Sequence, residues 1–290
     1  RVGGYNLLTI GIFPNIKKSS VVTILGFIVD FFKEKSIRVL LPSQAARKLG
    51  QPDLGCSEES IREKIDIAIA IGGDGTLLSS ARKIAPLNIP IFGINMGRLG
   101  FLTEVEVPQM EIFLEKLISG HYDIEKRLML DAFIRRDSEE IFVSSSLNDI
   151  VITKAGYSRM IELTLTINNQ VTAAFSADGL IIATPTGSTG YSLSAGGPIV
   201  NSALNVILVT PICPHTLYSR PLIVSPDEEI TVITSVSSDD IVLTVDGQVV
   251  QKLQPNDKVF IRKSSYNANL IKFGHKNYYQ TLRTKLWRDD

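Results

Sequence analysis

The chain has 290 residues, of which 44% are hydrophobic and 21% are charged, a composition typical of a globular protein and too apolar for a disordered one. Thirty basic residues balance thirty acidic residues, so no net field draws the protein to nucleic acid or to an anionic membrane. No apolar run reaches the roughly 18–20 residues that a membrane-spanning helix needs. We therefore expect neither a nucleic-acid nor a membrane partner.

The cysteines and the first residues bear on the cellular compartment. Cys56 and Cys213 form neither a CxxC pair nor a disulfide framework. The first residues, RVGGYNLLTIGIF, lack the basic region, apolar run and small-residue cleavage site of a secretory signal. These features predict a protein of the reducing cytoplasm.

Short apolar runs alternate with helical stretches up to residue 121. Strands are predicted at 7–13, 37–42, 65–71 and 89–94, and helices at 21–36, 76–85 and 108–119. Continuous apolar strands interleaved with helices indicate βα units, in which a parallel sheet is covered on both faces. Residues 1–121 are therefore predicted to form a Rossmann-like α/β domain.

From residue 122 to residue 275 the pattern changes to a period of two, with turn residues between the runs. Strands are predicted within 160–170, 178–187, 228–235, 240–250 and 257–264. This half is predicted to be an all-β domain of stacked sheets. Residues 276–287 have a helical pattern, and we expect residues 276–290 to return to the first domain.

A glycine-rich turn with one carboxylate, Gly72-Gly73-Asp74-Gly75, follows the strand at 65–71 and precedes a helix that Thr76 opens. Glycines let a backbone approach a ligand, and the N–H groups of a helix N-terminus attract phosphate. A carboxylate there repels phosphate unless it binds Mg²⁺ or accepts a proton from an attacking hydroxyl, as a kinase base does. The alternative is a turn in which Asp74 only caps the helix.

A second segment, DGLIIATPTGSTGYSLSAGGPIV at 178–200, combines glycines with many neutral hydroxyl groups. Such a surface suits ribose hydroxyls, a purine edge and a diphosphate. The alternative is a surface loop followed by a capped helix. The hydroxyl-bearing residues are Thr184, Thr186, Ser188, Thr189, Tyr191, Ser192 and Ser194.

Together, GGDGT at 72–76 and DGLIIATPTGSTGYSLSAGGP at 178–198 resemble the NAD kinase family, also called ATP–NAD kinases. Further similar segments follow in the family's order: NMGRLGFLTE (95–104), SLNDIVITK (146–154), PICPHTLYSRPLIV (211–224) and VDGQ (245–248). The resemblance implies a cytoplasmic enzyme that transfers the γ-phosphate of ATP to the 2′-hydroxyl of the adenosine ribose of NAD. It also implies Mg²⁺ as the ion that accompanies ATP, and a homodimer or homotetramer.

The resemblance assigns roles to single residues. Asp74 matches the catalytic base, Asn148 matches the asparagine at the adenine end of NAD, and no protein ligand to a metal is assigned. Asp149 stands where glutamate is usual, and Gly190 and Cys213 stand where alanine is usual; Cys213 is expected to form a buried wall of the pocket. The other expected nucleotide-binding residues are Gly75, Phe101, Arg159, Ser176, Asp178, Thr186, Thr189, Tyr191, Ser192, Leu193, Ser194 and Gln248.

Two other functions are compatible with parts of the pattern. A lipid kinase shares GGDGT and a β-rich second domain, but it does not need the hydroxyl-rich residues 184–194. A dinucleotide-binding sensor would keep the pocket without turnover, although it has no need of a base at Asp74. The motifs also leave open NAD or NADH as the acceptor, and ATP, another nucleotide or polyphosphate as the donor.

Overall fold

The computed structural model describes residues 8–97, 100–155, 160–216, 218–234, 241–254, 256–275 and 277–287. The chain divides into two compact units, one of Arg1–Lys126 with Ala268–Asp290 and the other of Arg127–Asn267. In the described ranges, no helix combines the length and the hydropathy that are needed to cross a membrane.

Strands and helices follow one another along the chain as follows. The strands are β1 Thr9–Pro14, β2 Arg38–Pro42, β3 Gly55–Cys56, β4 Ile67–Gly72, β5 Ile91–Asn95, β6 Val105–Glu106, β7 Asp123–Arg127, β8 Leu130–Arg136, β9 Glu139–Ser146, β10 Asp149–Lys154, β11 Ile161–Ile167, β12 Gln170–Ala177, β13 Gly179–Ala183, β14 Ile207–Ile212, β15 Leu222–Val224, β16 Ile230–Thr234, β17 Ile241–Val245, β18 Val249–Lys252, β19 Lys258–Lys263 and β20 Ala268–Lys272. The helices are α1 Val21–Glu34, α2 Ser43–Leu49, α3 Glu58–Arg62, α4 Asp74–Ile84, α5 Met110–Ile118, α6 Tyr191–Ser194 and α7 Tyr278–Leu286.

The first unit is built on one sheet with the strand order β3-β2-β1-β4-β5-β20-β7, and β6 lies beside β5. Strands β2, β1, β4 and β5 pair in parallel, and β20 joins as a parallel neighbour of β5. Strand β4 is buried along its whole length, and its Ile69 and Ile71 share one core cluster with Leu25 and Ile28 of α1. The predicted Rossmann-like α/β domain is confirmed, and the C-terminal helix α7 belongs to this unit as expected.

The second unit consists of two antiparallel sheets, with orders β15-β14-β13-β10-β17-β18 and β12-β11-β16-β19-β8-β9. One hydrophobic cluster takes Ile150 and Ile152 from the first sheet and Leu163 and Val259 from the second, so the two sheets pack face to face. The intervening Val151 faces a separate cluster on the other side of its sheet. This period of two is the pattern that predicted stacked sheets, and that prediction is confirmed.

Several elements lie outside the strands and helices that the sequence pattern predicted, among them the interior strands β8, β10, β14 and β20. Helices α2 and α3 have seven and five residues, too few to show a helical period. Helix α4 begins at Asp74 rather than at Thr76, because Gly73 serves as its N-cap. Strand β20 lies far along the chain from its partner β5, and local sequence carries no signal of that pairing.

The central position of β4 predicts that the stability of the first unit depends on Ile69, whose side chain is fully buried. Replacing Ile69 with Ala is expected to lower the free energy of unfolding by about 2–5 kcal/mol, through lost burial and the cavity left behind. Ile112, which is 62% exposed on α5, provides the matched control. Ile112→Ala is expected to change the free energy of unfolding by about 0.5 kcal/mol or less. Urea denaturation measures both, and equal losses for the two variants would contradict this account of the sheet.

Candidate active site

Three loops of the first unit gather at the carboxyl edge of its sheet, because β1, β4 and β5 run parallel and end together. Two backbone hydrogen bonds hold the loops. Asn15 N donates to Ile71 O at 2.8 Å, and Met96 N donates to Gly72 O at 2.7 Å. The glycine-rich turn at 72–75 therefore lies at the strand ends where open α/β sheets bind their ligands.

The Asp74 carboxylate is held by the segment that follows this edge. Its Oδ2 accepts the Phe101 N–H at 2.7 Å, while Oδ1 accepts the Leu102 N–H at 3.2 Å and the Thr103 N–H and hydroxyl at 3.0 Å each. A Cβ placed on Gly100 would overlap the Asp74 carboxylate, so a side chain there would displace it from its donors. Four donors fix the carboxylate, and Oδ2, with one donor, keeps a lone pair for a proton.

This arrangement decides the local role of Asp74. Gly73 is the N-cap residue of α4, and the helix start has no side-chain cap hydrogen bond. The alternative in which Asp74 caps the helix is therefore wrong. Gly75 lies exposed in the first turn of α4, and Phe101 is half-buried and reaches Asp74 through its backbone N–H.

Lys18 is a candidate that the sequence analysis missed. It lies on the loop after β1, and its Nζ is 3.7 Å from the position that a Cβ on Gly97 would occupy, in the turn after β5. No motif marks this lysine, because the two loops come together only through the strand order. A cavity of about 190 Å³ borders the same edge, and Pro14, Gln44 and Thr76 are among its lining residues.

In the second unit, Asn148 and Asp149 form a corner with the turn that begins the hydroxyl-rich segment. Thr184 donates its N–H to Asn148 O at 2.9 Å, and a Cβ on Gly187 would lie 2.1 Å from the same oxygen. A Cβ on Gly190 would lie 3.6 Å from Asp149 Oδ2 and 3.8 Å from Asn148 Nδ2. The backbone of the 187–190 turn therefore faces both side chains.

The polar atoms of this corner are unusual for a protein interior. Asn148 Oδ1 is buried and, within the described residues, has no hydrogen-bond partner. Asp149 is 6% exposed, and its burial, followed by the charge of Asp246, raises the pKa of its carboxyl to about 7. Buried polar groups in proteins are normally paired. An unpaired amide oxygen beside a carboxyl with a raised pKa therefore indicates a binding site.

The hydroxyls of 184–194 divide into two groups. Ser188 and Ser192 are fully buried and structural, since Ser188 Oγ donates to Pro185 O and Ser192 Oγ pairs with Thr210 Oγ1 at 2.9 Å. The remaining expected residues lie nearer the surface or in the turn itself. Thr186 is buried and accepts a bond from Arg127, Thr189 and Leu193 are half-buried, and Tyr191 and Ser194 are exposed.

Asp178 and Cys213 lie at the opposite end of the sheet from Asn148, and Ser176 lies near the end of β12 in the other sheet. Strand β13 pairs antiparallel with β10, so that Ala183 faces Asp149 while Gly179 faces Thr153. A rise of about 3.3 Å per residue puts Asp178 about 17 Å along the strand from Ala183. Asp178 Oδ1 pairs there with Lys154 Nζ at 2.7 Å, and His215 N donates to Ser176 O at 2.8 Å.

The remaining expected binding residues are Cys213, Gln248 and Arg159. The expectation that Cys213 forms a buried wall is wrong: the residue is exposed, because it follows the end of β14 in the left-handed conformation (φ 45°) and its chain leaves the sheet there. Gln248 is exposed in the turn between β17 and β18. Arg159 lies outside the described residues.

The described part of the chain holds no group of three or more His, Cys, Asp or Glu side chains that could bind a metal ion. The Asp74 carboxylate is instead bonded to backbone amides.

Sequence comparisons identify similar proteins over most of the chain. The family profile described as ATP-NAD kinase N-terminal domain matches residues 10–122, and the profile described as ATP-NAD kinase C-terminal domain matches residues 147–273. The NAD kinase of Thermoanaerobacter sp. (strain X514) is 45% identical over 277 residues, covering 96% of this chain and 98% of the relative. The NAD kinase of Natranaerobius thermophilus is 42% identical over 278 residues, covering 96% and 97%.

Solved structures show the same likeness. A yeast NADH kinase complexed with NADH superposes with a TM-score of 0.89 over 96% of this chain and 87% of that one, at 23% identity, and so shares the fold. An NAD kinase from Archaeoglobus fulgidus in complex with ATP gives a TM-score of 0.75 at 25% identity, covering 96% and 98%.

The raised pKa of Asp149 predicts a pH-dependent stability. Its folded-state pKa of about 7 lies above the ordinary value of 3.8, so its contribution to stability is fully present below pH 3.8 and is lost as the pH rises through 7. Asp149→Asn does not ionise, and its stability relative to the unsubstituted protein should rise across this window by up to about 4 kcal/mol.

Chemical denaturation at pH 5 and pH 8 measures about 3 kcal/mol of this difference, because unfolded Asp149 is already ionised at pH 5, with Asp53→Asn, a change at an exposed acid of the first unit, as the control. A gap between Asp149→Asn and the unsubstituted protein that is the same at both pH values would show that Asp149 is not a buried titrating group.

Proposed function

The chain belongs to the NAD kinase family, and on this premise we propose that it transfers the γ-phosphate of ATP to the 2′-hydroxyl of the adenosine ribose of NAD, giving NADP and ADP. The observation that carries the proposal is the oriented carboxylate of Asp74, in a glycine-rich turn at the carboxyl edge of a parallel sheet. The NADH and ATP named with the two solved relatives agree with these substrates. We place the activity in the cytoplasm.

Asp74 is proposed as the base that accepts the proton of the attacking 2′-hydroxyl. Its Oδ1 is occupied by three donors from Leu102 and Thr103, whereas Oδ2 accepts one bond, from Phe101. The proton therefore goes to Oδ2. Since general-base catalysis requires a fixed distance and angle to the acceptor hydroxyl, the donors on Oδ1 contribute by holding the carboxylate still.

Asn148 and Asp149 are proposed to bind the adenosine of NAD. The buried, unpaired Oδ1 of Asn148 is suited to accept from the exocyclic amine of adenine. Asp149, facing the Gly190 backbone, is suited to a ribose hydroxyl. The accessible Thr189 and Tyr191 are proposed to complete this surface, and the buried Ser192 supports it by bonding Thr210.

The donor is proposed to bind as MgATP at the edge that carries the glycine-rich turn. The amides at the start of α4 attract its phosphates, and Lys18 adds a positive charge from the loop after β1. The cavity beside Pro14, Gln44 and Thr76 offers space for its base. Mg²⁺ arrives with the triphosphate, where it neutralises charge that develops during transfer.

A homodimer or homotetramer is proposed, in which a second copy completes the site. The separation within one sheet supports this: Asp178 lies about 17 Å along β13 from the end that faces Asp149. Ser176 and the exposed Cys213 lie at the Asp178 end. We propose that this end contributes to the nucleotide site of a neighbouring copy.

An assay of the purified protein with MgATP and either NAD or NADH tests the proposed reaction, with a diacylglycerol as the rival acceptor. We expect the phosphorylated dinucleotide to form and the lipid to stay unmodified. Phosphorylated lipid would favour the lipid-kinase alternative, and tight NAD binding without turnover would favour a sensor.

In the same assay Asp74→Asn is expected to lower kcat by about 10²- to 10⁴-fold, because the amide cannot accept the proton. The dissociation constant for NAD should change much less, since an amide still hydrogen-bonds. Asp123→Asn, at an exposed acid of the same unit, serves as the control. Near-normal turnover by Asp74→Asn would exclude Asp74 as the base.

Mixed oligomers of two inactive variants test the shared site. Asp74→Asn and Asp178→Ala should each have little activity alone. If Asp178 serves the neighbour's site, co-refolded dimers of both should regain about a quarter of the unsubstituted activity by statistical mixing. No recovery in verified mixed oligomers would show that both residues serve the same copy.

A further inference from the structure

The carboxylate of Asp246 is the hydrogen-bond acceptor for the whole loop that carries Asn148 and Asp149. Its Oδ1 accepts from Ser146 Oγ at 2.6 Å, from Asn148 N at 2.8 Å and from Asp149 N at 3.1 Å. Its Oδ2 accepts from Leu147 N at 3.2 Å. One side chain that is 9% exposed therefore binds four consecutive residues.

A backbone hydrogen bond also runs from Asp246 to the loop that its carboxylate holds. Asp246 N donates to Asp149 O at 2.8 Å, at the point where β17 ends beside the start of β10. Asp246 itself has a φ of 51°, in the left-handed region that asparagine and aspartate tolerate better than most residues. Asn in its place keeps the backbone preference, removes the charge and replaces one acceptor oxygen with an NH₂ donor.

We propose that Asp246 is a positioning residue of the dinucleotide site: its carboxylate fixes the 146–149 loop in its binding shape, and its charge acts on the neighbouring Asp149. The proposal rests on the proposed function in one respect, that Asn148 and Asp149 contact NAD. Asp246 touches their backbone N–H groups and acts through them. Charge-assisted bonds to several amides are strong, and breaking them leaves buried donors unpaired.

The charge of Asp246 has a second consequence. Burial is the larger cause of the raised pKa of Asp149, and the charge of Asp246 is the other. Within the described residues, Asp246 is the ionisable group that acts on Asp149 from the adjoining β17, and the turn that faces Asp149 from the other side presents Gly190. Ionisation of Asp149 adds a second negative charge near an anionic ligand, so NAD affinity should fall as the pH rises through about 7.

The test uses the full chain with Asp246→Asn, and measures the dissociation constant for NAD by calorimetry from pH 5.5 to 8.5, together with KM for MgATP. We expect NAD binding to weaken about 10-fold or more, the size of one lost hydrogen bond to a charged group. KM for MgATP should stay within about twofold. The pH midpoint of NAD binding should move lower, because the repulsion on Asp149 is gone.

Asp257→Asn is the matched control, since Asp257 is another buried acid of the same unit and its ion pair with Arg136 lies outside the site. It should destabilise the fold and leave the pH midpoint for NAD unchanged. Ser146→Ala removes one donor while Asp246 stays, and should weaken NAD binding about three- to tenfold with the fold retained. If Asp246→Asn does not fold, NAD binding by Ser146→Ala tests the proposal in its place.

The proposal is overturned if Asp246→Asn leaves both the NAD affinity and the pH midpoint unchanged. It is also overturned if Ser146→Ala binds NAD as tightly as the unsubstituted protein. Equal losses for NAD and MgATP would overturn it as well. A failure of the proposed function is seen separately, as an unsubstituted protein that does not convert NAD to NADP. The two failures are distinguishable because NAD binding by the Asp246 variants is measured without turnover.

Discussion

Carboxylates that accept backbone amides hold the functional loops of both units in shape. Asp74 accepts the amides of residues 101–103, and Asp246 accepts those of residues 147–149. Neither loop has helix or strand bonds to satisfy these N–H groups, and an unpaired buried amide costs about as much as a lost hydrogen bond. The conformation of each loop therefore depends strongly on one acidic side chain from another element.

This dependence explains why the sequence predicts the elements better than the site. The period of the apolar residues and the glycine-rich turn predict β4 followed by α4, and the alternating runs predict stacked sheets, because both signals are local. The partners of Asp74 and Asp246 are backbone N–H groups 27 and about 100 positions away. Every residue type except proline has such a group, so no pattern of side chains marks the partner. Asp246 lies in the VDGQ segment, but its contacts with the 146–149 loop were missed for this reason, whereas Lys18 was missed because its loop meets the turn after β5 only through the strand order.

Two departures from the usual family residues meet at one corner. By resemblance to the family, Asp149 stands where glutamate is expected and Gly190 where alanine is expected, and a Cβ on Gly190 would lie 3.6 Å from Asp149 Oδ2, an ordinary contact distance. The shorter acid thus does not force the glycine. The Gly190 backbone therefore lies against both Asp149 Oδ2 and Asn148 Nδ2, so the two small residues shape the same side of the corner.

The motifs place acidic residues in segments that are proposed to bind phosphate-bearing ligands, and carboxylates repel phosphates. The structure resolves this repulsion residue by residue. Asp74 lies among four donors and Asp246 among three amides and a hydroxyl, so the charge of each is already stabilised by dipoles. Asp149, with a pKa of about 7, is largely uncharged below neutral pH because burial and Asp246 disfavour its ionised form. Burial and the charge of Asp246 thus disfavour a charge on Asp149, at the corner proposed for the dinucleotide, whereas the Asp74 carboxylate is held in place by donors from residues 101–103.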